Sequence, residues 1–306
     1  MPYPISIDAL RVLDAIARKG TFAAAADELH RVPSAVSYTI HKLEEDLNVQ
    51  LFDRSGHRAL LTPAGRYLLE QGRQLLEATD TLARSTQRVA QGWETRLRIA
   101  LDSLLPIRVL FSAVQQFREL EVPVEIQLTE EVFAGSWDAL HTGRADLIVG
   151  AALDAQPAGS YDTYTIGQTG FVYAVSPDHP LTRELEPVSE DQIRHWPAVV
   201  VADSSRQLPP GSAGIFARQS TLTVSGMHQK VQTQMAGLGV GWLPELHAAQ
   251  ALEAGELVAL KVNKPRRPVD LCMARRKGEA GKAQNWFWEH LSTTNYFDEW
   301  LAPVQQ

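Results

Sequence analysis

The sequence has one cysteine, Cys272, in 306 residues. That excludes an intrachain disulfide and a cysteine-rich zinc site. No apolar run approaches the ~18 residues of a transmembrane helix, so no membrane partner is expected. The nine histidines fall at no metal-ligand spacing. The fingerprints His-Glu-x-x-His, Gly-x-Ser-x-Gly and Gly-x-x-x-x-Gly-Lys are absent, so neither a cofactor nor catalysis is expected. Positive charge is also in short supply. Lys and Arg number 29 against 36 Asp and Glu, a net charge of −7, which argues against a broad nucleic-acid-binding surface. The start, Met1-Pro2-Tyr3-Pro4-Ile5-Ser6, has no basic stretch leading into an apolar one, so a signal peptide is not expected and the cytoplasm is the default address. What is present is the composition of an ordinary globular protein, 44% hydrophobic and 21% charged. At ~100–200 residues per domain, two or more units are expected.

The charge is unevenly divided. Residues 1–92 hold 11 basic and 11 acidic side chains, so the whole of the −7 falls on the remainder. Texture changes at the same place. Up to Gly92 the pattern is helical with one short hairpin; from Trp93 onward short β-branched runs alternate with helical ones. A boundary is therefore placed near Gly92-Trp93.

Ser6 can cap a first helix carrying Leu10, Leu13 and Ala17 at helical spacing. Gly20 is a suitable stop and Thr21 the next cap. A short helix with the stripe Phe22, Ala25, Ala26 and Leu29 follows, its alanines small enough for a close crossing. Pro33 opens a third helix, where its missing N–H costs nothing. That helix buries Val36, Ile40, Leu43 and Leu47 and turns Ser34, Ser37, Tyr38, His41 and Lys42 outward, with Arg31 just before it. A short helix, a tight turn and a longer helix with a polar outer face form a helix-turn-helix. Short hydroxyls, an imidazole and a lysine can approach base edges in a major groove, although a solvated face of any small helical bundle would show the same spacing. Leu51 to Leu61 then reads as two short strands about a turn at Ser55-Gly56. Arg54, His57 and Arg58 sit at or beside the tip, where they can reach phosphates or a minor groove.

This region resembles the winged helix-turn-helix of the LysR-type transcriptional regulators. The matching residues are Phe22-Ala23-Ala24-Ala25-Ala26 through Leu29-His30, then Ser34-Ala35-Val36-Ser37, Ile40 and Lys42-Leu43-Glu44. Leu51-Phe52-Asp53-Arg54, Leu61-Thr62 and Ala64-Gly65 continue the match. The resemblance implies double-stranded DNA as partner. Two positions depart from the family pattern: Val32-Pro33 stands where Thr-Gln is usual, and Tyr38 where Arg is common. An atypical target preference is therefore expected.

Thr62 and Pro63 are a good N-cap and first residue for a further helix, and no proline recurs before residue 106. Leu61, Leu68, Leu75, Leu82 and Val89 repeat every seven residues, with small Gly65, Gly72, Thr79 and Thr86 beside them. This is a heptad seam with close-approach positions. About 30 residues at ~1.5 Å rise give ~45 Å of helix, too long to hide against a sixty-residue head. Leu68, Leu75, Leu82 and Val89 are expected to face the same helix of a second subunit, although an amphipathic helix packed on its own chain would share the pattern. The resemblance supports a dimer, and the family leans to tetramers.

Beyond Trp93, strands are expected at 96–101, 124–129, 145–150, 170–175, 198–202, 220–224, 240–244 and 269–274, with helices between. Strand–helix alternation implies parallel sheet with helices on its faces. The order is similar to the LysR-type effector domain, itself like periplasmic binding proteins. The best matches are Gly143-Arg144-Ala145-Asp146-Leu147, Asp178-His179-Pro180-Leu181 and Ala236-Gly237-Leu238-Gly239-Val240. The fold expectation is thus α/β, with a winged helix-turn-helix (1–62), a long dimerisation linker helix (63–92) and a two-lobed periplasmic-binding-protein-like effector domain (93–306). By the resemblance, 95–168 and 266–306 make one lobe and 169–265 the other.

Ligands of open α/β sheets sit beyond strand carboxyl ends. Asp102-Ser103, Glu130-Glu131 and Asp203-Ser204 are the candidate ends, with Met227 and His228 at a helix start. If these carboxylates converge, a neutral, aromatic or hydroxylated effector is expected. Gly237-Leu238-Gly239-Val240-Gly241 follows a helix and enters a strand, the reverse of a dinucleotide-binding loop, and reads as a helix cap and turn. Cys272, inside an apolar strand, is expected to be buried and inert, and Trp286-Phe287-Trp288 to be helix packing. The expected function is a DNA-binding regulator controlled by a small molecule. The alternatives are a binding-protein-like enzyme or carrier with an N-terminal oligomerisation module, and a regulator without an effector.

Overall fold

The structure is a computed structural model that describes residues 4–53, 59–278, 280–293 and 295–303. It divides into two compact units, Met1–Gln91 and Gly92–Gln306. In the first, α1 (Ile7–Lys19), α2 (Phe22–Glu28) and α3 (Pro33–Leu47) are followed by the strand pair β1 (Phe52–Asp53) and β2 (Leu60–Leu61) and by α4 (Pro63–Ala90). Local chemistry sets these boundaries. Ser6 Oγ accepts from Ala9 N at 3.1 Å and Thr21 Oγ1 from Ala24 N at 3.2 Å. Gly20, at φ 78°, ends α1 in the left-handed conformation that glycine adopts without strain. Pro33 opens α3, and Thr62 Oγ1 caps α4 by accepting from Gly65 N at 3.0 Å. The core between the helices is Leu13, Ile16, Ala25, Val36, Ile40, Leu43, Leu51 and Phe52, all buried. Each large side chain in it contributes about 1.5–3 kcal/mol. Buried Glu44 accepts from Leu51 N at 2.7 Å and Phe52 N at 3.2 Å, tying the strand pair to α3.

The start of α4 belongs to this head. Leu68 and Leu69 pack on the head core. The glycines expected to admit a second subunit serve the chain itself. A Cβ on Gly65 would lie 2.1 Å from the Leu51 carbonyl oxygen, and one on Gly72 would lie 2.8 Å from Leu10 Cδ2. Arg73 Nε, on the same stretch, donates to Asp14 Oδ1 at 2.8 Å.

The second unit begins with β3 (Arg96–Asp102), α5 (Phe111–Arg118), β4 (Glu125–Glu131), α6 (Ala134–His141), β5 (Leu147–Ala152) and β6 (Tyr161–Thr169). There follow β7 (Phe171–Val175), α7 (Glu190–Ile193), β8 (Ala198–Val201), β9 (Thr221–Val224), α8 (Met227–Met235), β10 (Gly241–Pro244), α9 (Glu245–Glu253) and β11 (Val258–Leu260). The chain then returns through β12 (Val269–Arg276) and α10 (Lys282–Leu291).

The first lobe is a five-stranded sheet in the order β4-β3-β5-β12-β6. The second carries a three-stranded sheet, β10-β7-β11, and the pair β8-β9. The expected parallel sheet is found only in part. β3 runs parallel to β4 and β5, and β8 to β9. β12 runs antiparallel to both neighbours, because it returns from the second lobe in the direction opposite to β3 and β5. The strands of the second-lobe meander are antiparallel too. Cys272 is fully buried in β12, and burial pushes its thiol up to about 12. Trp286 packs edge-on to Phe287 and to Phe117 of α5, and Phe287 lies tilted against Phe117, so the aromatic cluster of α10 is core.

Candidate functional site

The head presents one polar stripe. Pro33 starts α3 with no side-chain cap, and the helix then alternates by turn: Val36, Ile40 and Leu43 are buried while Ser34, Ser37, Tyr38, His41 and Lys42 are exposed. Steps of three and four place these five side chains along one helix face. Tyr38 is 67% exposed, a large ring held in water rather than in the core. His41 Nε2 lies 3.3 Å from Glu45 Oε1 one turn on. Arg31 stands apart from the stripe. Its guanidinium makes a two-pronged ion pair with Asp8, at 2.7 and 2.8 Å, which joins the α2–α3 turn to the start of α1. Arg54, His57 and Arg58 lie outside the described residues. On α4, Leu75, Leu82 and Val89 are more than half exposed, whereas Leu68 is half-buried against the head.

The candidates of the second unit separate into three groups. Asp102, Ser103 and Met227 line a cavity of about 520 Å³ bounded by both lobes. Glu130 and His228 line a different, shallower groove of about 380 Å³ with Arg108 and His247. Glu131, Asp203 and Ser204 are consumed by a hydrogen-bonded knot joining β4 and α6 to the 203–208 segment. Ser204 Oγ donates to Glu131 Oε2 at 2.5 Å and accepts from Val132 N at 2.8 Å. Asp203 accepts from Ala134 N at 3.1 Å, Ser205 N at 2.6 Å and Gly211 N at 2.5 Å. Gly135 makes the approach feasible, since a Cβ there would fall 1.9 Å from Ser204 Oγ. The carboxylates therefore do not converge on one ligand, and the expectation of a neutral effector loses its basis.

Asp138, absent from the sequence-derived candidates, is the centre of this knot. It is inaccessible to solvent and accepts from Gln207 N and Leu208 N at 2.8 Å and from Arg206 N at 3.2 Å. Arg144 Nη2 donates to it at 3.0 Å, while Arg144 Nη1 bonds Glu131. Burial alone would raise the Asp138 pKa, but these amides and the guanidinium outweigh it and hold it at about 2.

The cavity has mainly apolar walls, including Phe133, Val201 and Trp242, together with Phe171. Phe133 sits at φ 52° and ψ −122°, a strained conformation for a bulky residue, pinned by the Ala134–Asp203 bond. At one end Asp102 is 2% exposed; it accepts from Ser136 Oγ at 2.6 Å and Leu104 N at 3.0 Å. Burial nevertheless lifts its pKa to about 7. Two cations also line the space. Lys230, on α8, is 7% exposed, and burial with the neighbouring Arg266 charge lowers it to about 7. Arg266 lies with its guanidinium carbon 3.7 Å from the centre of the Phe171 ring. Sequence reasoning missed Phe133, Lys230, Trp242 and Arg266. Lys230 did leave a signal: it belongs to the buried stripe of α8 with Met227, Val231 and Gln234, where a lysine is out of place. Among the described residues no group of acidic, histidine or cysteine side chains could hold a metal ion, and no helix is long and apolar enough to cross a membrane.

Comparison with known proteins accords with both halves. Residues 7–66 match the family model described as "Bacterial regulatory helix-turn-helix protein, lysR family", and residues 90–295 match "LysR substrate binding domain". The chain is 39% identical over 282 residues to the probable HTH-type transcriptional regulator YhaJ of Escherichia coli K12, spanning 92% of this chain and 94% of that one. It is 36% identical over 299 residues to the HTH-type transcriptional regulator PunR of the same strain, spanning 97% and 96%. Among solved structures, a Corynebacterium glutamicum OxyR C206 mutant superposes with a TM-score of 0.62 at 18% identity, covering 97% of this chain and 94% of that one. The full-length LysG of C. glutamicum with bound effector Arg superposes with a TM-score of 0.51 at 22% identity, covering 98% and 100%.

Proposed function

The chain belongs to the LysR family of helix-turn-helix transcriptional regulators, and from that premise we propose how its own residues divide the work. The family is one of DNA-binding regulators with an effector-binding domain, not of enzymes, which removes the enzyme-or-carrier alternative. Ser34, Ser37, Tyr38, His41 and Lys42 enter the major groove on α3, and Arg54, His57 and Arg58 reach the sugar-phosphate backbone beside it. Arg31 supports the reading helix through Asp8 and reaches DNA as a secondary contact. Leu75, Leu82 and Val89 pair α4 with that of a second subunit, with Leu68 at the edge of that seam, and dimers associate further into a tetramer. The protein works in the cytoplasm, where the DNA is.

The effector binds in the cavity bounded by Asp102, Ser103 and Met227, and favours one arrangement of the subunits over another. Glu130 and His228 stand outside that cavity, and Glu131, Asp203 and Ser204 hold its wall. The observation that carries this reading is the α3 stripe, five polar side chains exposed in one row on a helix whose other face buries Val36, Ile40 and Leu43 with Glu44. Gel shift of the full-length protein on genomic fragments tests it. The expected result is binding whose logarithm falls linearly with the logarithm of salt concentration. Binding to no duplex at any salt concentration would overturn it.

A further inference from the structure

Lys230 is more than nine-tenths buried, and no carboxylate pairs with it among the described residues. Arg266, half-buried in the same cavity, has its guanidinium against the Phe171 ring and no carboxylate partner among the described residues. Arg144, beside the cavity wall in the first lobe, contrasts with both, since Glu131 and Asp138 neutralise it. The acids near the cavity are committed elsewhere or lie at its edge. Asp102 faces Ser136 and the Leu104 amide, Asp203 faces three backbone amides, and Asp154 is exposed at the rim. One turn along α8, Gln234 is fully buried with neither side-chain oxygen nor nitrogen partnered among the described residues, and it lies beside the same Gly241 as the Lys230 ammonium. Two cationic side chains thus line one mostly apolar chamber, a costly arrangement unless something negative joins them.

We propose that the effector is a small organic carboxylate whose anionic end is clamped between Lys230 and Arg266 and whose flat, apolar body lies against Phe133 and Trp242. This rests on the regulator reading above and names the ligand class of that site. A guanidinium fork and one ammonium match the two oxygens of a carboxylate. The mostly apolar lining leaves the further charged oxygens of a phosphate without partners of their own. The cavity, at about 520 Å³, falls within the ~300–1,000 Å³ usual for small-molecule sites, so the ligand is of the size of a substituted aromatic acid rather than a peptide. At the Asp102 end, the buried carboxyl and Ser103 can exchange a hydrogen bond with a hydroxyl on the ligand.

The test is a thermal-shift and calorimetric comparison of full-length protein with aryl and alkenyl monocarboxylates, including benzoate, phenylacetate and their hydroxylated forms. The corresponding primary amides and inorganic phosphate are run beside them, and duplex binding is measured on the same samples. The expected result is binding of at least one carboxylate and loss of binding by its amide. In Lys230→Met and Arg266→Gln, carboxylate affinity should fall roughly ten- to a hundredfold, the span of a charged hydrogen bond. Ligand-free Lys230→Met should melt at a higher temperature than the parent, because an unpaired buried charge is gone. Binding of amides but no carboxylate, binding of phosphate alone, carboxylate affinity unchanged in both variants, or no carboxylate binding while DNA binding persists would each overturn the proposal and leave the regulator reading intact. Failure to bind any duplex would instead count against that reading.

Discussion

The two units keep their polar chemistry on opposite sides of their surfaces. In the head the core is apolar apart from Glu44, and the polar side chains proposed to read DNA stand in water on α3. In the second unit Asp102, Ser103, Glu131, Asp138, Lys230 and Gln234 are all buried, and what they do depends on which partner each has found. Net charge misleads in both places. The head balances to zero yet turns a serine–tyrosine–histidine–lysine stripe outward, while the remainder carries the whole −7 and still lines its cavity with two cations, Lys230 and Arg266, that no carboxylate pairs among the described residues. The acids of that unit are spent on backbone amides, on Arg144, on other cations such as Arg96 and Arg98, or on solvent. A regional charge count describes the average surface, not the sign of a site.

The contrast can be attacked from its largest effect downward. Replacing Leu75 and Leu82 together with serine removes exposed apolar groups that fold nothing in their own chain. If they seal the subunit seam, each contributes about 1.5–3 kcal/mol in both subunits, so the dimer dissociation constant should rise by several powers of ten while the monomer fold persists. Sedimentation measures the first and circular dichroism the second.

In the other unit, Asp138→Ala strips Arg144 and three amides of their acceptor. It should cost about 3–5 kcal/mol in denaturant unfolding, against less than about 0.5 kcal/mol for Ser37→Ala on the exposed stripe. Acid unfolding gives an independent check. Because the Asp138 pKa is depressed, its stabilisation is present above its ordinary 3.8 and is lost as the pH falls toward about 2. The variant should lack that loss.

Tyr38→Ala should change which sequences are bound, with discrimination shifting by about 1–3 kcal/mol at one or two base positions in a selection assay. Carboxylate affinity should fall about tenfold from pH 6 to pH 8, since Lys230 near 7 loses its charge as Asp102 near 7 gains one, with Arg266 and Asp154 sharing the cavity. Lys42→Ala should have the smallest effect, weakening all duplexes alike and lowering the salt slope by about one.

The head was readable in the sequence because its rules are local. Ser6, Gly20, Thr21 and Thr62 mark helix boundaries through contacts three or four residues away, and Pro33 through its own fixed backbone, and they do so in the structure. The seam glycines misled for the same reason: spacing showed that something approaches Gly65 and Gly72, but not that it is Leu51 and Leu10 of the same chain. In the second unit the decisive pairings span long separations. Asp138 meets Leu208 and Ser204 meets Glu131 across about seventy positions, so four carboxylates at strand ends looked alike until the fold sorted them. β6 escaped notice because Tyr161-Asp162-Thr163-Tyr164-Thr165 offers no apolar alternation. Phe133, Trp242 and Arg266 come together only after the chain has crossed between lobes.

The two crossings have a mechanical corollary. Thr169, where the chain leaves the first lobe, pairs with Val269, where it returns, so both connections are neighbouring strands of one ladder. Two straps fixed side by side behave as a door's pair of pins: they permit swing about one line and resist sliding or independent twist. Whatever settles in the chamber beyond them is then converted into a single angle. The Asp138 cluster, which ties the first lobe to the 203–208 segment, lies away from that line and braces the two leaves against each other.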